Sequence, residues 1–123
     1  MKNEKSYFAD TSFLIDLIRE NEEAVEIAEN CNNIVTSSIC VFELGRKVDF
    51  DLGNVTEKAI IDFRPKDAEK AYQLYRKGIE KGENINNIDY LLAAQAINLE
   101  KTILTGDKDY KKVEGLDTFY YRD

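Results

Sequence analysis

The stretch Phe8-Ala9-Asp10-Thr11-Ser12-Phe13-Leu14-Ile15-Asp16-Leu17 decides how the rest of the chain is read. Tyr7, Phe8 and Ala9 form an apolar run without helical gaps, as in a strand buried on both faces. Asp10 and two hydroxyl residues follow, and then Phe13, Leu14, Leu17 and Ile18 recur at the spacing of one helix face. The order is strand, acidic corner, helix. In a parallel α/β sheet such a corner lies at the carboxyl end of a strand, where these folds carry their sites. Asp10 is also well suited to plain N-capping, because Asp, Ser and Thr all accept from the free amides of a first helical turn.

Outward from this corner, strands and helices alternate. The first helix is expected to reach about Arg19, and a second runs over Glu22–Asn30 with Val25, Ile27 and Ala28. Ile34-Val35-Thr36 is the next strand. Ser37 or Ser38 caps a helix carrying Ile39, Val41, Phe42 and Leu44, with Gly45 placed to weaken or end it. Val48–Val55 reads as a connection with at most a short helical turn. Ala59 to Phe63 is a third strand, stopped by Arg64-Pro65. Asp67–Lys81 follows as a long amphipathic helix with Ala68, Ala71, Tyr72, Leu74, Tyr75 and Ile79 inward, closed by Gly82. Its Lys and Glu residues read as a solvated face. Ile88–Leu99 is the most regular helix, Thr102–Thr105 a fourth strand, Gly106–Asp109 a turn, and Thr118–Tyr121 a fifth, edge strand. This alternation predicts a parallel, doubly wound sheet.

Composition narrows the chemistry. The chain of 123 residues is long enough for one core and holds no histidine. Imidazole acid–base catalysis, His-activated nucleophiles and His-ligated zinc are thereby excluded. Hydrolysis must run through carboxylates, hydroxyls, lysines or a metal-bound water. The net charge of −7, from 17 basic and 24 acidic residues, argues against a general polyanion-binding surface. It is compatible with a nucleic-acid enzyme whose site is a carboxylate cluster loaded with divalent cations. Cys31 and Cys40 have neither metal-ligand spacing nor the number for a disulfide framework and read as small core residues. No stretch approaches a membrane span or a secretory segment, so a cytoplasmic protein without membrane contact is expected.

Four acidic residues stand out by position. Asp10 follows the first strand, Glu43 sits in the helix after the second, Asp89 opens the helix Ile88–Leu99, and Asp107 follows the fourth strand. In a doubly wound sheet these corners share one edge, so the carboxylates converge. Converging carboxylates repel and raise one another's pKa unless a cation neutralises them. Hard oxygen ligands of this kind suit Mg²⁺ or Mn²⁺. Each residue also has an ordinary reading: Asp89 as a complement to the helix dipole, Glu43 as an exposed helical residue, Asp107 as a turn former. Asp109 is a less favoured ligand, because a helical turn capped by Asp107 would point it away. Asp16, mid-helix among apolar residues, is expected to face solvent. Tyr120 and Tyr121 are expected in core or edge packing, with base stacking the second reading.

Four segments then carry a family resemblance: Phe8–Asp16, Ser38–Arg46, Ile88–Ala96 and Ile103–Tyr110. Together they resemble a PIN domain, specifically the small ribonuclease toxins of the VapC type. The resemblance implies a single domain over residues 1–123, a three-layer α/β/α fold with a central parallel sheet of four to five strands. It implies a Mg²⁺- or Mn²⁺-dependent endoribonuclease cleaving single-stranded RNA, the toxin of a toxin–antitoxin pair. Asp10, Glu43, Asp89 and Asp107 take the metal-site and catalytic roles. Thr11 or Ser12, and Thr105, support them through hydroxyl hydrogen bonds. A small antitoxin whose segment crosses the active-site groove, and a homodimer, are the implied partners. The segment between Arg46 and Ala59 is short for the family, and the charge is more acidic than RNA cleavage suggests.

Two other functions compete. One is a non-catalytic PIN-like module binding RNA or protein, which has no need to concentrate four carboxylates. The other is an aspartate-nucleophile phosphatase of the haloacid dehalogenase type, which requires an acid two residues after the first Asp. Ser12 stands there instead.

Overall fold

The computed structural model describes residues 5–51 and 59–122. The second half of the connection read over Val48–Val55 lies outside them. The strands are β1 (Tyr7–Ala9), β2 (Ile34–Ser37), β3 (Ala59–Ile61), β4 (Thr102–Thr105) and β5 (Thr118–Tyr120). All their pairings are parallel, in one sheet of order β3-β2-β1-β4-β5. The helices are α1 (Thr11–Ile18), α2 (Glu22–Asn30), α3 (Ser38–Lys47), α4 (Pro65–Glu80) and α5 (Asn87–Asn98), with a 3-10 turn over Lys108–Lys112.

From β1 the chain steps through β2 to β3, then crosses back to β4 on the other side of β1. Right-handed crossovers therefore place α1, α2 and α3 on one face and α4 and α5 on the other. In agreement, α1 packs against α2 and α3, and α4 against α5. This is the expected three-layer α/β/α fold. The strand order reverses between β1 and β4, so the crevice of the sheet opens at the carboxyl ends of those two strands. Asp10 follows β1 directly, and Asp107 follows β4 after Gly106.

The core runs along the same two strands. Phe8 lies opposite Ile103 and Ala9 opposite Leu104, all four without solvent exposure. Burying each large apolar side chain here stabilises the fold by roughly 1.5–3 kcal/mol. Two polar anchors fix α5 against the β3–α4 corner. Gln95 donates to the carbonyls of Ile61 and Asp62 at 3.3 and 3.1 Å, and Asn98 donates to the Asp67 carboxylate at 2.9 Å. At Gly78 the missing side chain matters, because a Cβ there would fall 1.9 Å from the Tyr90 hydroxyl oxygen. Among the described residues no helix is long and apolar enough to cross a membrane.

Several sequence expectations are corrected. Asp16 is buried, not solvent-facing, because Tyr121 and Arg122 from the far end of the chain cover it. On α4 the buried stripe is Asp67, Ala71, Leu74 and Gly78, while Ala68, Tyr72, Tyr75 and Ile79 are exposed. The apolar residues of α4 form a wider arc than α5 can cover. Asp67 therefore belongs to the interior and not to the solvated face. The helix also starts earlier, at Pro65, which as the first helical residue gives up no hydrogen bond. Gly45 does not end α3, which continues to Lys47 with its carbonyls still engaged by Val48. The third strand stops at Ile61 and is a largely exposed edge. Cys31 is half-buried at the rim, whereas Cys40 lies in the core.

Candidate metal centre

Asp10 is both a cap and a cleft residue. It N-caps α1, its Oδ1 accepting from the Phe13 amide at 3.0 Å and the Ser12 hydroxyl at 2.7 Å. Its Oδ2 accepts from the Thr105 hydroxyl at 2.5 Å. Each hydroxyl has one proton to give, and both are spent on Asp10. Their oxygens accept in turn: Ser12 Oγ from the Gly106 amide and Thr105 Oγ1 from the Asp107 amide, each at 2.9 Å. The loop after β4 is thus stitched to the corner after β1. Behind the corner, the Ala9 carbonyl accepts from Thr36 Oγ1 at 2.8 Å and from the Cys40 thiol at 3.7 Å. Burial pushes that thiol up to about 11, so Cys40 is an inert donor.

The other three acids arrive from separate elements. Glu43, on α3, is buried, and its Oε1 accepts from the Thr11 hydroxyl at 2.7 Å. Asp89, in the first turn of α5, accepts on Oδ1 from the hydroxyl of the buried Tyr110 at 3.0 Å. Asp107 caps the 3-10 turn, its Oδ1 accepting from the Asp109 amide at 2.9 Å. The structure brings all four to one cleft of about 310 Å³, lined also by Thr11, Ser12, Lys47, Asn86 and Tyr110. Asp109 reaches the wall of the same cleft, but its carboxylate is paired with Lys112 at 3.2 Å.

Electrostatics separate two of the acids from ordinary carboxylates. Burial pushes Asp10 up to about 6, against the hydrogen bonds of Thr105, Phe13 and Ser12, with the Asp107 charge adding to the rise. Burial likewise pushes Asp89 up to about 6; the Tyr110 hydroxyl opposes this, and the charges of Asp107, Asp10 and Glu43 reinforce it. Asp89 senses all three other acids, which is repulsion across a shared space.

The family comparison agrees with this topology. The PIN domain profile matches residues 7–116. The chain belongs to the PIN-domain family. Among solved structures, VapBC2 from Rickettsia felis, bound to a DNA fragment from its promoter, is similar at 26% identity and a TM-score of 0.75. That match covers 92% of this chain and 96% of the other. VapBC from Salmonella typhimurium, bound to DNA, shares the fold at a TM-score of 0.80 and 17% identity, covering 94% and 97%. VapBC-5 from Mycobacterium tuberculosis, a member of the VapBC family of toxin–antitoxin systems, does so at 0.72 and 17%, covering 93% and 97%. No curated protein sequence matches the chain.

PIN-domain nucleases generally use divalent metals, and the donor set here fits a hydrated one. Glu43 Oε2, Asp89 Oδ2 and Asp107 Oδ2 take no donor from the described residues. Among those residues, no three acidic or cysteine side chains are gathered into a ligand cage. Mg²⁺ does not need one: it keeps several of its waters and is held by one or two carboxylates. An open PIN-domain cleft of separate carboxylates, each oriented by a hydroxyl or amide, meets that requirement.

Three cleft residues escaped the sequence reading. Tyr110, which orients Asp89, looks in sequence like any core aromatic. Asn86 caps α5 through the Ile88 amide, and the polar run before Ile88 was its only signal. Lys47, one turn after Glu43, places a cation on the wall of an acidic cleft. Its spacing of four residues from Glu43 was a legible sign.

Proposed function

We propose that this PIN domain is a divalent-metal-dependent endoribonuclease that cleaves single-stranded RNA with Mg²⁺ or Mn²⁺. We further infer that it is the toxin of a toxin–antitoxin pair, with a small antitoxin and a second copy of itself as partners. The observation that carries the first reading is the convergence of four acids in one cleft, with Asp10 and Asp89 both raised to about 6. Family membership and the VapBC structures support the second.

Asp10, Glu43, Asp89 and Asp107 would hold the cation between them, one or two directly and the others through its waters. The chemistry a bound ion supplies at such a site is neutralisation of charge on a phosphoryl oxygen and acidification of a water. The chain's own residues prepare that site. Ser12 and Thr105 fix both oxygens of Asp10, Thr11 fixes Glu43, and Tyr110 fixes Asp89, so little reorganisation is needed when a substrate arrives. Lys47 offers a charge to the RNA backbone on an otherwise repelling wall. Without histidine, proton transfer falls to water and to the carboxylates themselves.

Incubation with short single-stranded RNA in Mg²⁺, in Mn²⁺ and in EDTA tests the proposal. Internal cleavage in either ion and none in EDTA is the expected outcome. Cleavage that persists in EDTA would overturn it, and RNA binding without cleavage in any ion would leave a non-catalytic module.

A further inference from the structure

The residues that bury Asp16 also reach the loop that carries Asp107. Asp16 Oδ2 accepts from Arg122 Nε at 3.0 Å, from Arg122 Nη2 at 2.8 Å and from the Tyr121 hydroxyl. The remaining arm of the same guanidinium, Nη1, donates to the Gly106 carbonyl at 3.3 Å. Gly106 lacks the side chain that would prevent this, since a Cβ there would lie 2.4 Å from Arg122 Nε and 2.6 Å from Cζ. On its other side the loop hangs from Ser12 and Thr105, through the amides of Gly106 and Asp107. Asp107 is therefore held from two directions: by the hydroxyls around Asp10 and by an arginine seated on a buried acid.

We propose that Arg122, fixed by Asp16, is a positioning residue that latches the Gly106-Asp107 loop and so sets where the Asp107 carboxylate stands in the cleft. The consequence for cation binding rests on the function proposed above; the latch itself does not. The planar fork is what the geometry uses, because one guanidinium grips the Asp16 carboxylate with two N–H groups and the Gly106 carbonyl with a third. An ammonium at this position can satisfy the acid but cannot span to the loop. Releasing the carbonyl side would leave the Gly106 and Asp107 amides on the Ser12 and Thr105 hydroxyls with no hold on the opposite side of the loop. Those hydroxyls are the ones that orient Asp10, so the disturbance would spread to a second ligand.

Amide hydrogen exchange, followed by NMR in the full chain, tests the latch without any RNA. In Arg122→Ala, exchange at the Gly106 and Asp107 amides should rise about tenfold. The Tyr7 amide, bonded to the Asn33 carbonyl at 2.8 Å at the far end of β1, should keep its rate. Arg122→Lys should behave like Arg122→Ala, and Asp16→Asn should give the same local pattern by freeing the guanidinium. The Mn²⁺ concentration that half-saturates thermal stabilisation should rise several-fold in all three. Unchanged Gly106 and Asp107 exchange in Arg122→Ala would overturn the latch. Full restoration by Arg122→Lys would do so too, leaving an ion pair with no hold on the loop. Acceleration that includes Tyr7 would mean general destabilisation, again against the proposal. If the wild-type protein cleaves no RNA, the nuclease reading falls while the amides still decide the latch.

Discussion

Asp10 and Asp67 occupy similar places and have opposite chemistry. Each is an almost fully buried acid at the start of a helix, and each bonds to a backbone amide there. Burial alone pushes both carboxyls up. At Asp67 that push is outweighed by the Arg64 guanidinium, the Asn98 amide and the Arg64 backbone N–H, and the carboxyl lies below the usual range. Asp10 receives only neutral donors and faces another acid, and it is raised to about 6. Asp16 is likewise a buried acid given a cation, with Arg122 and Tyr121 upon it. Where an acid holds the fold together, the chain supplies it with a cation. At the cleft no cation among the described residues is paired with the four acids, Lys47 on its wall included, and the structure leaves those charges to be answered by something else.

The largest test of that contrast is activity. Asp10→Asn should lower RNA cleavage by about 10²-fold or more, on the scale of lost electrostatic stabilisation in a preorganised site, while the melting temperature holds or rises. An active Asp10→Asn protein would break the comparison at its centre. Next in size is cation linkage. Mn²⁺ at about 100 times its dissociation constant should stabilise the native state by about 2.7 kcal/mol. An Asp10→Asn, Asp89→Asn double variant should lose that gain, and an equal rise in both proteins would place the ions elsewhere.

Asp67→Asn should act in the opposite sense to Asp10→Asn. It breaks an ion pair whose arginine is one-third exposed, so after allowing for solvent screening the cost is about 1–2 kcal/mol. Urea unfolding of the two variants side by side reads the sign directly.

The pH dependence of stability sharpens the same pair. A folded carboxyl raised from 3.8 to about 6, as at Asp10 and Asp89, binds its proton over a range where the unfolded chain has released it. Its contribution is fully present below about pH 4 and is lost as pH rises through 6. The cost is about 1–3 kcal/mol for each group. Asp67 runs the other way, contributing above its ordinary pKa and losing that contribution as pH falls through its lowered one. In EDTA, melting temperature should therefore fall between pH 4 and 7 more steeply in the wild type than in Asp10→Asn. Parallel slopes would count against the raised carboxyl.

The smallest effect separates two neighbours. Asp109→Ala removes an exposed pair with Lys112 worth at most about 1 kcal/mol and should cleave RNA near the wild-type rate. Asp107→Ala should cut cleavage strongly. A more damaging Asp109→Ala would move the fourth ligand by two residues.

What the chain wrote locally was legible without coordinates. Strands and helices alternate in period and length, and the helix expected from Glu22 to about Asn30 spans Glu22–Asn30. The order strand, acid, helix at Asp10 and the Gly106-Asp107 turn are local signals as well. They rest on backbone preferences and near-neighbour hydrogen bonds, which act within a few residues. Even the meeting of Asp10, Glu43 and Asp107 on one edge follows from local reading plus one rule, that parallel strands share a carboxyl side; Asp89, on a helix that follows another helix, reaches that edge through the packing of α4 and α5.

Only the tertiary structure decided the rest, because it depends on partners far away in sequence. Asp16 looks solvent-facing until Tyr121 and Arg122 arrive from 105 and 106 residues away. The inward face of α4 is set by how narrowly α5 covers it, so Tyr72, Tyr75 and Ile79 remain outside despite their spacing. Asp67 was hidden in a charged run until Asn98 closed over it from 31 residues away. Burial and pairing of a charge are properties of an environment, and that environment exists only once the layers have packed.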